Sequence, residues 1–122
     1  SAVGSYLYEP NASILKAGGF KSVAKRYGVQ KLHVNSHLYT SDRSVYDFPG
    51  RMFEVRQWFV PNRQNVKQFL SQTKKANITV RNFPLSVAEI RRKTGLKEGG
   101  ELYLFATTVA RDTKIWVTGT RL

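Results

Sequence analysis

The chain has 122 residues, and its 20 Lys and Arg against 8 Asp and Glu give a formal net charge of +12. Hydrophobic residues make up 41% of it, which is enough for a packed core and excludes wholesale disorder. The absence of cysteine excludes a disulfide scaffold, a thiolate zinc site, an iron–sulfur cluster and a cysteine nucleophile.

The first fifty residues predict short elements. An extended entry over residues 6–10 is followed by a short helix that Asn11 caps and that the Gly18-Gly19 pair breaks. A second helix is predicted to end at Gly28, because apolar side chains recur at its helical spacing: Phe20, Val23, Ala24 and Tyr27. Residues 32–40 are predicted as half strand and half loop, and 41–50 as turns.

The second half begins with a strand over residues 51–60, which alternates partially and ends at Pro61. Asn62 then caps a helix with an inward stripe formed by Val66, Phe69 and Leu70. A short strand over 78–80 follows.

Ser86 and Glu89 have the spacing of a capping box, which predicts the start of a helix that Gly95 ends. Strands over 102–109 and 115–118, with a turn at 111–114, predict a closing hairpin. The order β-α-β-α-β-β indicates an α/β (α+β) fold, a small mixed sheet with helices packed on it.

Catalytic and metal chemistry are poorly represented. His33 and His37 lie in a strand or loop with no third ligand nearby, so no metal site is predicted. The Gly18-Gly19 and Gly99-Gly100 pairs lack the spacing of phosphate-binding loops, and no catalytic residue is identified. The chain has no signal peptide and no initiator Met, so we expect a processed chain or a segment of a longer protein.

Positive charge is concentrated in residues 63–97, which contain nine basic residues and one acidic residue, Glu89. Such clustering favours an anionic partner, with nucleic acid ahead of a membrane. The basic residues at the end of the Ser86 helix could instead interact favourably with the helix dipole. Phe83 could stack on an unpaired base or fill the core beside Pro84. The candidate RNA-binding residues are Lys74, Lys75, Arg81, Asn82, Phe83, Arg91, Arg92, Lys93 and Lys97.

Two groups of short motifs point to a family. YEPNASI at 8–14 with KAG at 16–18 and LYTSD at 38–42 form the first, and ITVRNFPLS at 78–86 with LK at 96–97 and LYLFAT at 102–107 form the second. Together they resemble the C-terminal part of bacterial, Bacteroidetes-type class I SAM-dependent methyltransferases that carry a THUMP-like domain.

The resemblance implies a Rossmann-like methyltransferase domain upstream, then a ferredoxin-like or linker segment over 1–50 and a THUMP-like domain over 51–122. It implies binding of tRNA or rRNA in the cytoplasm. No glycine-rich SAM loop occurs here, so S-adenosylmethionine and the methyl-transfer site are expected in the upstream domain. The resemblance also suggests packing against that domain by Tyr8, Glu9, Pro10 and Asn11.

The alternative is a structural or dimerisation domain that caps the methyltransferase domain without touching RNA. An exposed apolar patch around Tyr6, Leu7 and Tyr8 would favour it. The two hypotheses therefore differ in whether the basic residues form one contiguous surface.

Overall fold

The computed structural model describes residues 2–16 and 20–122. Within that range the strands are β1 Tyr6–Pro10, β2 Gln30–Lys31, β3 Tyr39–Ser41, β4 Gly50–Phe59, β5 Asn77–Arg81, β6 Leu102–Val109 and β7 Thr113–Arg121. The helices are α1 Ala12–Lys16, α2 Phe20–Tyr27, α3 Arg63–Gln72 and α4 Val87–Thr94, with a 3₁₀ turn over Ala110–Asp112.

All seven strands belong to one mixed sheet in the order β2-β3-β1-β4-β7-β6-β5. Strands β5 and β6 are parallel and the other neighbours are antiparallel. The predicted mixed sheet and the order β-α-β-α-β-β of the second half are confirmed. Since β1 pairs with β4 from Tyr6↔Glu54 to Pro10↔Gly50, the first fifty residues extend the sheet of the second half.

The sheet is strongly curved. Glu9 on β1 and Arg81 on β5 are four strand positions apart, a path of about 19 Å across a flat sheet. Their side chains nevertheless meet at 2.8 Å. The curvature brings the two halves together around a first core cluster, which contains Val3, Leu7, Leu32, Leu38, Phe53, Phe105, Val109, Ile115 and Val117.

Two further clusters hold the helices. One gathers Phe69 of α3 and Ile90 of α4 with strand residues that include Leu104 and Trp116. The other gathers Val23 of α2 with Tyr8, Val29, Tyr39 and Phe48. The helices thus bury the apolar stripes that their spacing predicts.

A β-bulge lets one strand serve two clusters. Phe53 and Phe59 are six residues apart on β4 and would share a face of a regular strand. The register shifts between Val55 and Gln57, so Phe53 joins the first cluster while Phe59 packs beside Phe69 and Trp116.

The helix ends follow their predicted signals. Asn62 accepts the N–H of Asn65, and the capping box is complete, with Ser86 and Glu89 bonded to each other's backbone N–H. These hydrogen bonds with Ser86 lower the pKa of Glu89. Gly95 ends α4 at a φ of +75°, where a side chain would be strained.

Some strand boundaries differ from the prediction, since β7 runs to Arg121 and residues 32–38 are a loop between β2 and β3. The predicted Gly18-Gly19 break lies outside the described residues, as does the side chain of Phe20. None of the described helices is long and apolar enough to cross a membrane.

Candidate nucleic-acid interface

A short parallel bridge joins two basic loops at the start of β5. The N–H of Lys97 donates to the carbonyl of Lys74 at 3.0 Å, and the N–H of Ala76 donates to the carbonyl of Lys97 at 2.9 Å. Lys75 therefore lies opposite Lys97, although 22 positions separate them in the sequence. The backbone, rather than the mobile lysine side chains, brings the charges together.

Helix α4 adds two more cations to this region. It follows β5 and precedes the parallel strand β6, so it runs back across the sheet and ends near the start of β5. Arg92 and Lys93 occupy its last turn and are exposed. We call the resulting group of exposed side chains the basic end: Lys74, Lys75, Arg92, Lys93 and Lys97.

The charges of the basic end are offset only by nearby exposed or half-buried acids, of which Glu89 is attracted to Arg92 and Lys93. None of the ion pairs found among residues 2–16 and 20–122 involves its five members. Exposed Glu98 and Glu101 are the acids that follow it in the next loop. Grouped positive charge of this kind attracts a polyanion and releases counterions when phosphate binds.

Arg91 has a structural role. Its guanidinium donates to the carbonyls of Leu96 and Ala76, each at 3.1 Å, and its side chain is half-buried. These two bonds tie the end of α4 to the start of β5. Arg91 therefore positions the basic end and has less freedom than its neighbours to contact phosphate.

Arg81 lies at the opposite end of β5 and is also engaged within the chain. Its Nη2 is 2.8 Å from Oε2 of Glu9, whose Oε1 is 2.6 Å from Nε of Arg51. The Glu9 side chain is 11% exposed, and the side chains of Arg81 and Arg51 are 39% and 33% exposed. Glu9 neutralises part of the charge predicted for RNA contact.

Asn82 belongs to a polar cluster with His33, Ser36, Thr108 and Asp112. Its Nδ2 is 3.4 Å from Nδ1 of His33 and 3.3 Å from Oγ of Ser36, and its carbonyl accepts the hydroxyl of Thr108. Nδ1 of His33 also accepts the N–H of Asn35, so Nε2 carries the proton donated to Asp112 at 2.7 Å. The cluster fastens the loop 32–38 to the ends of β5 and β6.

Sequence reasoning missed this cluster, because His33 and Asp112 are 79 positions apart and each reads as an ordinary loop residue. A positive φ at both Asn82 and Asp112 marks the constrained backbone, but the sequence alone does not reveal it. No group of three or more His, Asp or Glu in the described part of the chain is arranged to hold a metal ion.

Phe83 is half-buried and packs against the cluster of Phe69 and Ile90. The sequence left open whether the Phe83 ring stacks on a base or fills the core, and packing in the core already covers part of the ring. A base could reach only the portion that stays exposed.

The four residues suggested to pack on an upstream domain lie mostly inside this chain. Tyr8 is 0% exposed, and Glu9 is 9% exposed. Pro10 is buried as well, and only Asn11 is exposed. Tyr8, Glu9 and Pro10 are thus buried within this sheet, where β1 lies between β3 and β4, and packing against an upstream domain stays a prediction.

Two family models match the chain. A ferredoxin-like domain matches residues 6–49, and a THUMP domain-like family matches residues 50–121. No curated protein matches it.

Among solved structures, the chain is similar to a putative methyltransferase from Porphyromonas gingivalis W83, with 41% sequence identity and a TM-score of 0.91. The match covers 98% of this chain and 30% of that one. The chain therefore spans less than a third of the length of the protein that it resembles.

Proposed function

Because the chain belongs to the THUMP-like family, we propose that it is the RNA-binding C-terminal segment of a SAM-dependent RNA methyltransferase. It binds tRNA or rRNA in the cytoplasm and presents one nucleotide to a catalytic domain upstream in the same protein. The similarity to a putative methyltransferase of which the chain covers 30% supports this division of labour. Residues 1–50 form the ferredoxin-like or linker segment of this RNA-binding region, and residues 51–122 form its THUMP-like domain.

The observation that carries the RNA-binding role is the basic end. Five exposed cations converge there from two loops and a helix terminus, and the Lys75–Lys97 bridge holds the loops in place. Contacts with phosphate orient a nucleic acid without reading its sequence. Specificity would then come from shape or from unpaired nucleotides.

The chain itself does not fit S-adenosylmethionine. Gly99 and Gly100 precede β6, whereas a cofactor-binding glycine loop follows a strand and opens a helix. We therefore assign the cofactor to the upstream domain, and no catalytic step to this chain.

The structural alternative receives less support. The apolar patch that would favour it is not formed around β1, since Leu7 and Tyr8 are buried and Tyr6 is half-buried.

Anisotropy titration of labelled tRNA and of duplex DNA of equal length, at low and at physiological salt, tests the proposal. We compare the parent with a triple alanine variant at Lys74, Lys75 and Lys97. A control replaces three exposed cations elsewhere, Lys25, Arg63 and Lys67, so both variants lose the same charge.

We expect the parent to prefer tRNA and to keep binding it at physiological salt. The basic-end variant should lose affinity about tenfold or more, and its salt slope should fall by about 2, since each phosphate contact contributes about 0.7 to 0.9. The control should stay close to the parent. Equal weakening of both variants would mean that binding depends only on the total positive charge. The structural alternative would then be the better-supported hypothesis.

A further inference from the structure

The loop between β3 and β4 carries the most exposed large side chain among the exposed hydrophobic residues of the described part. Tyr46 is 87% exposed at the tip of this loop. Binding residues are often carried on loops, and Tyr is enriched at interfaces because its ring combines apolar faces with a polar hydroxyl group.

Tyr46 lines two cavities. One has a volume of about 540 Å³ and is lined by Arg26, Tyr27 and Arg43 besides residues 44–47. The other has a volume of about 360 Å³, and its lining includes Arg51 and Arg121. Each cavity is of ligand size and has two arginines in its lining, of which Arg51 also bonds Glu9.

Acidic groups are present but outnumbered. Asp47 lines the first cavity and Glu54 lines the second. Glu54 is 3.9 Å from Arg56, an exposed pair that contributes little energy. Arg26 and Arg43 supply the positive charge of the first cavity. The Arg26 guanidinium lies 5.6 Å from the centre of the Tyr27 ring.

Hydrogen bonds and ring packing fix both ends of the loop that carries Tyr46. The carbonyl of Arg43 accepts the hydroxyl groups of Ser41 at 2.6 Å and of Tyr8 at 3.1 Å. Phe48 is buried, with its ring 4.9 Å from that of Tyr8. Tyr46 therefore lies on a loop whose two ends are fixed by the fold.

A polar group also awaits a partner at this site. The Oγ of Ser44 is buried without a hydrogen-bond partner in the described part of the chain, and Ser44 lines both cavities. Buried hydroxyl groups are normally satisfied, so an unpaired one beside both cavities adds to the case for a ligand here.

The Tyr46 site is connected to the basic end through neighbouring residues. Arg121 lines the second cavity and also a third cavity, of about 380 Å³, with Arg56 and Gly100. Gly100 in turn lies under the alkyl chain of Lys75, since a Cβ on it would come within 3.2 Å of Lys75 Cε. One strand of nucleic acid could therefore follow cations from Lys75 to Tyr46.

We propose that Tyr46 is a stacking platform for an unpaired RNA base, with Arg26 and Arg43 contacting the adjacent phosphates. The inference rests on the proposed RNA-binding function and names the part of the RNA that the first half of the chain would hold. An exposed ring with arginines nearby suits a single strand, because base stacking and phosphate contact alternate along it.

The test uses anisotropy with a labelled ten-nucleotide oligoadenylate and with an RNA duplex that has the same number of phosphates. The chain is compared with Tyr46→Ala, with Tyr46→Phe, and with Val34→Ala as a control at an apolar residue 71% exposed. Circular dichroism verifies the fold of each variant. Ultraviolet crosslinking of 4-thiouridine RNA to the parent gives a second, mutation-free measurement.

We expect Tyr46→Ala to weaken single-strand binding about tenfold, within the range measured for loss of one stacked base. Its salt slope should not change, because no cation is removed. Tyr46→Phe and Val34→Ala should stay within about twofold, duplex binding should be unaffected, and the crosslink should map to residues 44–48.

Contrary results separate the two proposals. Undiminished single-strand binding by Tyr46→Ala, equal losses for strand and duplex, or a crosslink elsewhere would overturn the stacking site. If the basic-end variant still binds RNA more weakly than the parent in those cases, the proposed RNA-binding function is kept. If the parent binds tRNA but not the oligoadenylate, only the stacking site is overturned, and if it binds neither tRNA nor these RNAs, both proposals fail.

Discussion

Replacing Glu9 by Gln should destabilise the whole chain, because this carboxylate joins the two halves of the sheet. It lies on β1 and bonds Arg51 on β4 and Arg81 on β5, at 2.6 and 2.8 Å. The amide keeps the shape of the side chain but loses its charge, and it turns one acceptor oxygen into a donor that faces a guanidinium group.

The magnitude follows from the burial of the three groups. A hydrogen bond to a charged group contributes about 1.5 to 3 kcal/mol. Arg51 and Arg81 are 33% and 39% exposed and can regain water, so we take the lower end for each. The expected loss is about 2 to 3 kcal/mol, which lowers the Tm of a domain of this size by roughly 8 to 12 °C.

Urea unfolding followed by tryptophan fluorescence measures this loss. Glu54→Gln is the matched control, because Glu54 and Arg56 form a longer pair at 3.9 Å and are 47% and 58% exposed. The control should change the free energy of unfolding by less than about 0.5 kcal/mol. A Glu9→Gln variant no less stable than the control would refute the reasoning that this contact holds the curved sheet closed.

Two further predictions concern local features. Ser86→Ala removes the N-cap of α4 and should lower the free energy of unfolding by about 1 kcal/mol, with Ser86→Asp largely restoring it; thermal unfolding checks both, and an unchanged Tm for the alanine variant would contradict the cap's contribution. Burial, with Lys31 as a smaller cause, lowers the pKa of His37 from its ordinary 6.5. The unfolded state therefore takes up a proton first, so stability should be full above about pH 6.5 and fall as the pH drops below it. Urea unfolding at pH 7.5 and 5.5 measures the change, and His37→Asn should reduce it; an identical loss in that variant would assign it to other groups.

Local elements of the fold were predictable because their signals lie within a few residues. The Ser86 capping box, the Asn62 cap and the Gly95 stop each rest on contacts between near neighbours in sequence. The order β-α-β-α-β-β in the second half followed from such signals.

Contacts between distant residues were not predictable in the same way. Neither the pairing of β1 with β4 nor the closure of the sheet by Glu9 and Arg81 leaves a pattern in either segment alone. The apparent alternation of residues 51–60 also gave no sign that the bulge after Val55 sends Phe59 to the opposite face. These features depend on how the sheet curves, which is decided by the packing of the whole core.

The same limit applies to the candidate site. Sequence identifies a cation but not its partner, so Arg81, Arg91 and the five residues of the basic end looked alike. In the folded chain Arg81 bonds a carboxylate and Arg91 bonds two carbonyls, which makes phosphate compete with contacts already formed. No carboxylate in the described part of the chain forms an ion pair with the basic end, although Glu89 is attracted to Arg92 and Lys93. A variant that removes Arg81 should therefore cost mainly stability, whereas one that removes Lys75 and Lys97 should cost mainly RNA affinity.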